Sequence, residues 1–216
     1  MEKEKKSSVG HKVLKVGKLV FLILLGLYII LIIGRLIYRI HEAKVDKQVA
    51  KIHSAKISLD DVMGKNLPPD PGVEADKTIQ GIDANKNGIR DDVELAIFNA
   101  YTDSAKTRAV LLQYAFALQM ETVQPFVDTK TVTEVVTEEG RSHSCVADIL
   151  VPRKNSESDR SDYEVSKIFE YTDYIEGIQF NTEARREARQ NFLKSLRSFG
   201  DSTNETCDID VSTLSN

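Results

Sequence analysis

The stretch LVFLILLGLYIILIIG, residues 19–34, holds sixteen amino acids and no charge. Lys18 and Arg35 bracket it. Their long stems can lie along lipid while their charges reach the headgroups. With Val16, Gly17, Leu36, Ile37 and Tyr38, the apolar run reaches the ~20 residues that span a ~30 Å hydrocarbon core. Tyr38 suits an interfacial anchor. The alternative is a buried helix of a soluble protein; a charge-free run of this length with no polar face favours the span. A cleaved signal peptide would need a shorter apolar core followed by small residues in an A-x-A-like pattern. This run leads instead into Gly34-Arg35-Leu36-Ile37-Tyr38-Arg39. The reading is an uncleaved signal-anchor: a transmembrane helix over residues 19–38, in contact with membrane lipid.

Charge divides the chain soon after that helix. Residues 1–56 carry twelve Lys+Arg against four Asp+Glu, which leaves 17 Lys+Arg and 29 Asp+Glu for the rest. A basic arm therefore joins a strongly acidic body. An acidic body repels phosphate backbones, so no nucleic-acid partner is expected. Tryptophan is absent and aromatics are 7%, which weighs against base- or sugar-stacking platforms. The 216 residues, 41% of them hydrophobic, allow one ordinary domain plus an appendage. The positive-inside count is nearly even. Lys3, Lys5, Lys6, Lys12, Lys15 and Lys18 precede the span; Arg35, Arg39, Lys44, Lys47 and Lys51 follow it. The acidic body and its two cysteines favour a cytoplasmic N-terminus with the body periplasmic or extracellular. A cytoplasmic body with reduced cysteines is the other arrangement.

The expected order is a basic tail (1–18), the span (19–38), a helical stalk (39–56), a Pro-rich linker (57–81), a helical body (82–200) and a polar, loose tail (201–216). Leu36, Ile40, Val45, Val49 and Ile52 recur at helical spacing along the stalk. Leu67-Pro68-Pro69-Asp70-Pro71-Gly72 cannot be helix. In the body, residues 91–101 read as a short amphipathic helix. A helix capped by Asp103 or Ser104 runs to about Val123; its stretch 109–118 is nearly apolar all round, so it reads as the central core helix, stopped by Pro125. Residues 127–151 are ambiguous: Thr131-Val132-Thr133-Glu134-Val135-Val136-Thr137 favours strand by β-branching, and its spacing also permits helix. Residues 163–179 and 182–199 read as amphipathic helices, the second capped by Asn181 or Thr182. The fold class is mainly α.

One segment carries chemistry. Residues 83–94, DANKNGIRDDVE, follow the calcium-loop pattern D-x-[DN]-x-[DN]-G-x5-E. A hard Ca²⁺ ion takes six to eight oxygens, and alternate residues of a tight turn point inward. Asp83, Asn85 and Asn87 would supply the first oxygens, Ile89 its backbone carbonyl, Asp91 a direct or water-bridged contact, and Glu94 both carboxylate oxygens. Gly88 would permit the sharp turn. The plainer reading is an Asn-Gly turn before a helix with acids in its first turn. That reading leaves Asp83, Asn85 and Glu94 unexplained. The segment resembles the single calcium loops of EF-hand-like proteins, including thrombospondin type-3 and dockerin-style repeats. The resemblance covers these twelve residues alone. It departs from an EF-hand at Arg90, where an aliphatic residue belongs, and in lacking room for a preceding helix. It implies a Ca²⁺ site of low affinity, ~10⁻⁴–10⁻³ M, and not a calcium-sensing helix pair.

Cys145 and Cys207 are the only cysteines. Outside the reducing cytosol a disulfide is their default. The alternative is a His143/Cys145 nucleophile pair, which strand spacing would place on one face. His11, His41 and His53 read as solvated, and Glu134, Glu138 and Glu139 as a wet face. Asn204-Glu205-Thr206 is a glycosylation sequon by pattern. The functional expectation is a membrane-anchored, calcium-binding structural or interaction protein with a protein partner and no catalytic residues. The alternative is a membrane-tethered hydrolase with an unrecognised carboxylate site.

Overall fold

The computed structural model describes residues 2–123, 128–155, 159–197, 200, 202 and 204–216, with side chains from Leu14 onward. Among these residues it is helical and has no strand. The chain forms two compact units, residues 1–47 and residues 48–216.

The first unit is the greater part of α1 (Glu2–Ser54). It is long and apolar enough to cross a membrane, and none of its most apolar window is buried. Leu22, Ile30 and Leu31 each expose more than 60% of their surface. Leaving such a side chain in water costs about 1.5–3 kcal/mol relative to burial. An apolar surrounding is therefore the favourable one for this helix.

The second unit begins inside α1. Ile52 is buried with Met120, Val132, Val135 and Phe192. His53 lies between two carboxylates, its Nε2 3.0 Å from Glu134 and its Nδ1 3.1 Å from Glu138. The last turns of the expected stalk thus belong to the body, and His53 is not a freely solvated side chain. The expected linker is also packed. α2 (Leu59–Val62) starts at a capping box made by Ser58 and Asp61. A 3₁₀ turn follows at Gly72–Asp76. Ile57, Val62 and Ala75 are all buried. Prolines broke the helix there as expected, but they did not free the chain.

α3 (Asp91–Ala100) and α4 (Ala105–Val123) follow. Ser104 accepts the Thr107 N–H at the start of α4. α4 is the central helix: Val110, Leu111, Leu112, Ala115 and Leu118 are fully buried, and α3, α5, α6 and α7 all pack on it. Pro125, the expected stop, lies outside the described residues.

The ambiguous segment is α5 (Thr129–Leu150), begun by Asp128, whose carboxylate accepts the Thr131 N–H. Val132, Val135, Ser142, Cys145 and Val146 line its buried face. That spacing of three and four suits a helix on a helical core, so packing overrides the β-branched run. α6 (Asp162–Gln179) opens with a Ser161–Glu164 capping box. α7 (Glu183–Leu193) opens on Thr182 and ends at Leu193, shorter than expected. Phe199 lies outside the described residues.

The tail is not loose. Cys207 is bonded to Cys145. Gln113 donates to the Thr206 carbonyl (3.0 Å) and accepts the Asp208 N–H (2.8 Å). Arg141 donates to Asp208 (2.7 Å) and Glu138 (2.7 Å). Val211 is buried, and a last 3₁₀ turn runs Val211–Thr213.

Candidate metal centre

The loop before α3 is closed by the Asp91 N–H, which donates to the Ile82 carbonyl (2.9 Å). Asp83 organises its first half. Its carboxylate accepts the N–H groups of Asn87 (3.1 Å) and Gly88 (3.0 Å). Asn85 Oδ1 accepts the Asn87 N–H (3.3 Å), and Asn87 Oδ1 accepts the Ile89 N–H (2.9 Å). These are Asx turns, in which short side chains bond the backbone two residues on. Lys86 (φ 61°) and Gly88 (φ 87°) take left-handed conformations.

Gly88 is required twice over. A side chain there would be strained by φ, and a Cβ would come within 2.3 Å of the Phe116 ring. Gly88→Ala is expected to destabilise the body by about 2 kcal/mol, from left-handed strain and overpacking together. Urea unfolding would measure it, and an unchanged midpoint would show that Phe116 can give way.

The second half of the loop carries buried acids. Asp91 accepts the Ala84 N–H (3.0 Å). Glu94 accepts from the Asn85 amide (3.0 Å), which also donates to the Asn66 carbonyl (3.0 Å). Asp91 is fully buried and Glu94 is 1% exposed. Burial pushes Asp91 above the usual carboxylate range. Burial also pushes Glu94 up to about 7; the Asn85 and Asn87 amides hold it down, and Asp61 and Asp91 push it further up. Asn87 Nδ2 is buried near Glu94 without a well-directed hydrogen bond among the described residues.

The structure brings Asp83, Asn85, Asn87, Asp91 and Glu94 into one turn and its following helix. Ile89 anchors that turn, with its side chain fully buried in the main core. The acids do not gather as a ready-made cage. Among the described residues, no three His, Cys, Asp or Glu side chains form a metal-ligand group. A cation here would draw on amide and carbonyl oxygens besides the acids. The oxygen-only donor set and the buried Glu94 carboxylate fit a hard ion, which would supply the charge that Glu94 lacks.

Arg90, the departure from the EF-hand pattern, points away from the loop. Its guanidinium donates to the carbonyls of Gln179 (2.8 Å) and Ile178 (2.6 Å) at the end of α6, and pairs with Asp92. Fully buried, it fills the place of a core residue while capping a helix C-terminus.

The expected disulfide is present, and the wet-face reading of the α5 acids changes. Cys145 and Cys207 form a disulfide with a Cα–Cα distance of 5.2 Å, so Cys145 is no nucleophile. On a helix, moreover, residues two apart do not share a face. The acids of α5 are not a wet face: Glu138 is 2% exposed, and Glu139 meets Arg189 (3.3 Å). The Glu138–His53 and Glu139–Arg189 pairs escape a sequence reading because their partners lie 85 and 50 residues away. No family model, characterised protein or solved structure matches the chain.

Proposed function

We propose that this chain is a single-pass, membrane-anchored protein. Its N-terminus is cytoplasmic, its helical body is exported, and residues 83–94 hold one Ca²⁺. The role is structural or interaction-based, with a protein partner bound by the body. The observation that carries the calcium reading is the buried Glu94 carboxylate inside a loop pinned by Asp83, Asn85 and Asn87. The disulfide and the acidic body support export.

Calorimetry with millimolar calcium and a melting curve on the full chain in detergent test the ion site. With free calcium at ten times the dissociation constant, mass action gives about 1.4 kcal/mol of stabilisation. Asp83→Ala or Glu94→Ala removes that gain. Asp92→Ala keeps it, because Asp92 faces Arg90. Calcium must displace the Glu94 proton, so affinity is expected to fall about tenfold per pH unit below about 7 and to level off above it. Neither heat nor a melting shift in the wild type would reduce the loop to a turn before a helix. A reporter that works only in the cytosol, fused after Asn216, is expected to be silent; a bright signal would reverse the topology.

A further inference from the structure

Three glutamates from three helices converge on one arginine from a fourth. Arg189, on α7, donates through Nη1 to Glu176 of α6 and through Nη2 to Glu139 of α5 (3.3 Å). Its Nε lies 3.1 Å from Glu121 Oε2 of α4. Phe180 underlies the guanidinium at 4.5 Å. Tyr114 of α4 donates its hydroxyl to the second oxygen of Glu176 (2.8 Å). Glu176 is therefore satisfied as a carboxylate.

The other two are not. The Arg189 Nε–H is out of line with Glu121, so neither Glu121 oxygen has a hydrogen-bond donor among the described residues, and that Nε has no acceptor. The Glu121 side chain is fully buried. Glu121 and Glu139 meet neighbouring nitrogens of the same guanidinium, Nε and Nη2, which sets the two carboxylates side by side. Two bare carboxylates in contact repel, and a buried acceptor without a donor is costly. One proton between them removes both problems. The remaining ionisable group near Glu139 is His143 of α5.

We propose that Glu121 and Glu139 share one proton in the folded body, and that this proton latches α7, through Arg189, onto α4, α5 and α6. Without it, three carboxylates face a single guanidinium. Burial, the first cause, and the neighbouring Glu139 push Glu121 up to about 9, and burial pushes Glu139 up as well. The sign follows from linkage. The folded state holds a proton that the unfolded state releases above its ordinary carboxylate range. The latch is complete at acidic pH and is lost as pH rises through about 9.

The test uses the full chain in detergent micelles. Infrared spectroscopy at pH 8, where Glu94 is already mostly ionised, is expected to show the carbonyl band of a buried protonated carboxylic acid. Glu121→Gln and Glu139→Gln should each lose it, since the remaining carboxylate pairs with Arg189; Glu176→Gln should keep it. The wild-type unfolding constant should rise about tenfold per pH unit relative to Glu121→Gln, up to about pH 9. Amide protection in α7, corrected for base catalysis, should fall over the same range in the wild type and stay level in Glu121→Gln. A wild type with no such band at pH 8 overturns the shared proton, whether or not the variants fold. A band with α7 protection independent of pH overturns the latch.

Discussion

Arg185→Ala is expected to cost about 3–5 kcal/mol, because the buried side chain takes its packing and its hydrogen bonds to several carbonyls with it. Arg185 is fully buried on α7 and spends its guanidinium on the segment before the candidate loop. Nε donates to the Ile79 carbonyl (3.0 Å). Nη1 donates to Asp76 (2.6 Å) and to Asn181. Nη2 donates to the Thr78 carbonyl (3.1 Å) and to the Ala75 carbonyl. Every N–H of the fork has an acceptor. Asp76 is half exposed and can recover water; the carbonyls of the 3₁₀ turn and the residues after it depend on the arginine. Arg185→Lys should recover little, because an ammonium has three donors and no fork. Urea unfolding at constant slope would read the loss as a shifted midpoint. A shift worth under about 1 kcal/mol would mean that water replaces the guanidinium without penalty.

Removing the disulfide comes next in size. The closed loop spans 62 residues, for which chain entropy sets an upper figure of about 4 kcal/mol. In a body of this length that corresponds to a melting shift of roughly 8–16 °C. The double variant Cys145→Ala/Cys207→Ala should still fold, because Gln113 and Arg141 hold the tail without the bond. Calorimetric scans of the variant and of reduced wild type should agree. A shift under about 2 °C would place the tail's attachment in those hydrogen bonds alone.

The features legible in the sequence were those set by local pattern. An uncharged run of sixteen residues has one ready explanation, and α4 declared itself by having no polar face. The Thr182 cap was legible because it acts within one turn. At residues 131–137 local preference and period disagreed, and the core settled the matter in favour of helix. The linker and tail were misjudged for a different reason. Prolines and polar residues predict a break in regular structure, and the chain can break and remain packed. Charged residues were misjudged most. Arg90 bonds carbonyls 88 and 89 residues away, and Arg185 reaches back 106 to 110. Nothing local distinguishes them from solvated arginines. In the candidate site the turn at Gly88 was legible, while the role of Arg90 as a core residue was not.

The reach of Arg185 also bears on the order of events during synthesis. The Ala75 and Ile79 carbonyls receive their donors from a side chain made more than a hundred residues later. At 5–20 residues per second, that gap lasts roughly 5–20 s. The Ile57 N–H waits longer still, for Asp208, 151 residues on. The early body therefore emerges from the ribosome with carbonyls unpaired and apolar side chains uncovered. Its closure is a late event, complete only when the last helix and the tail have arrived.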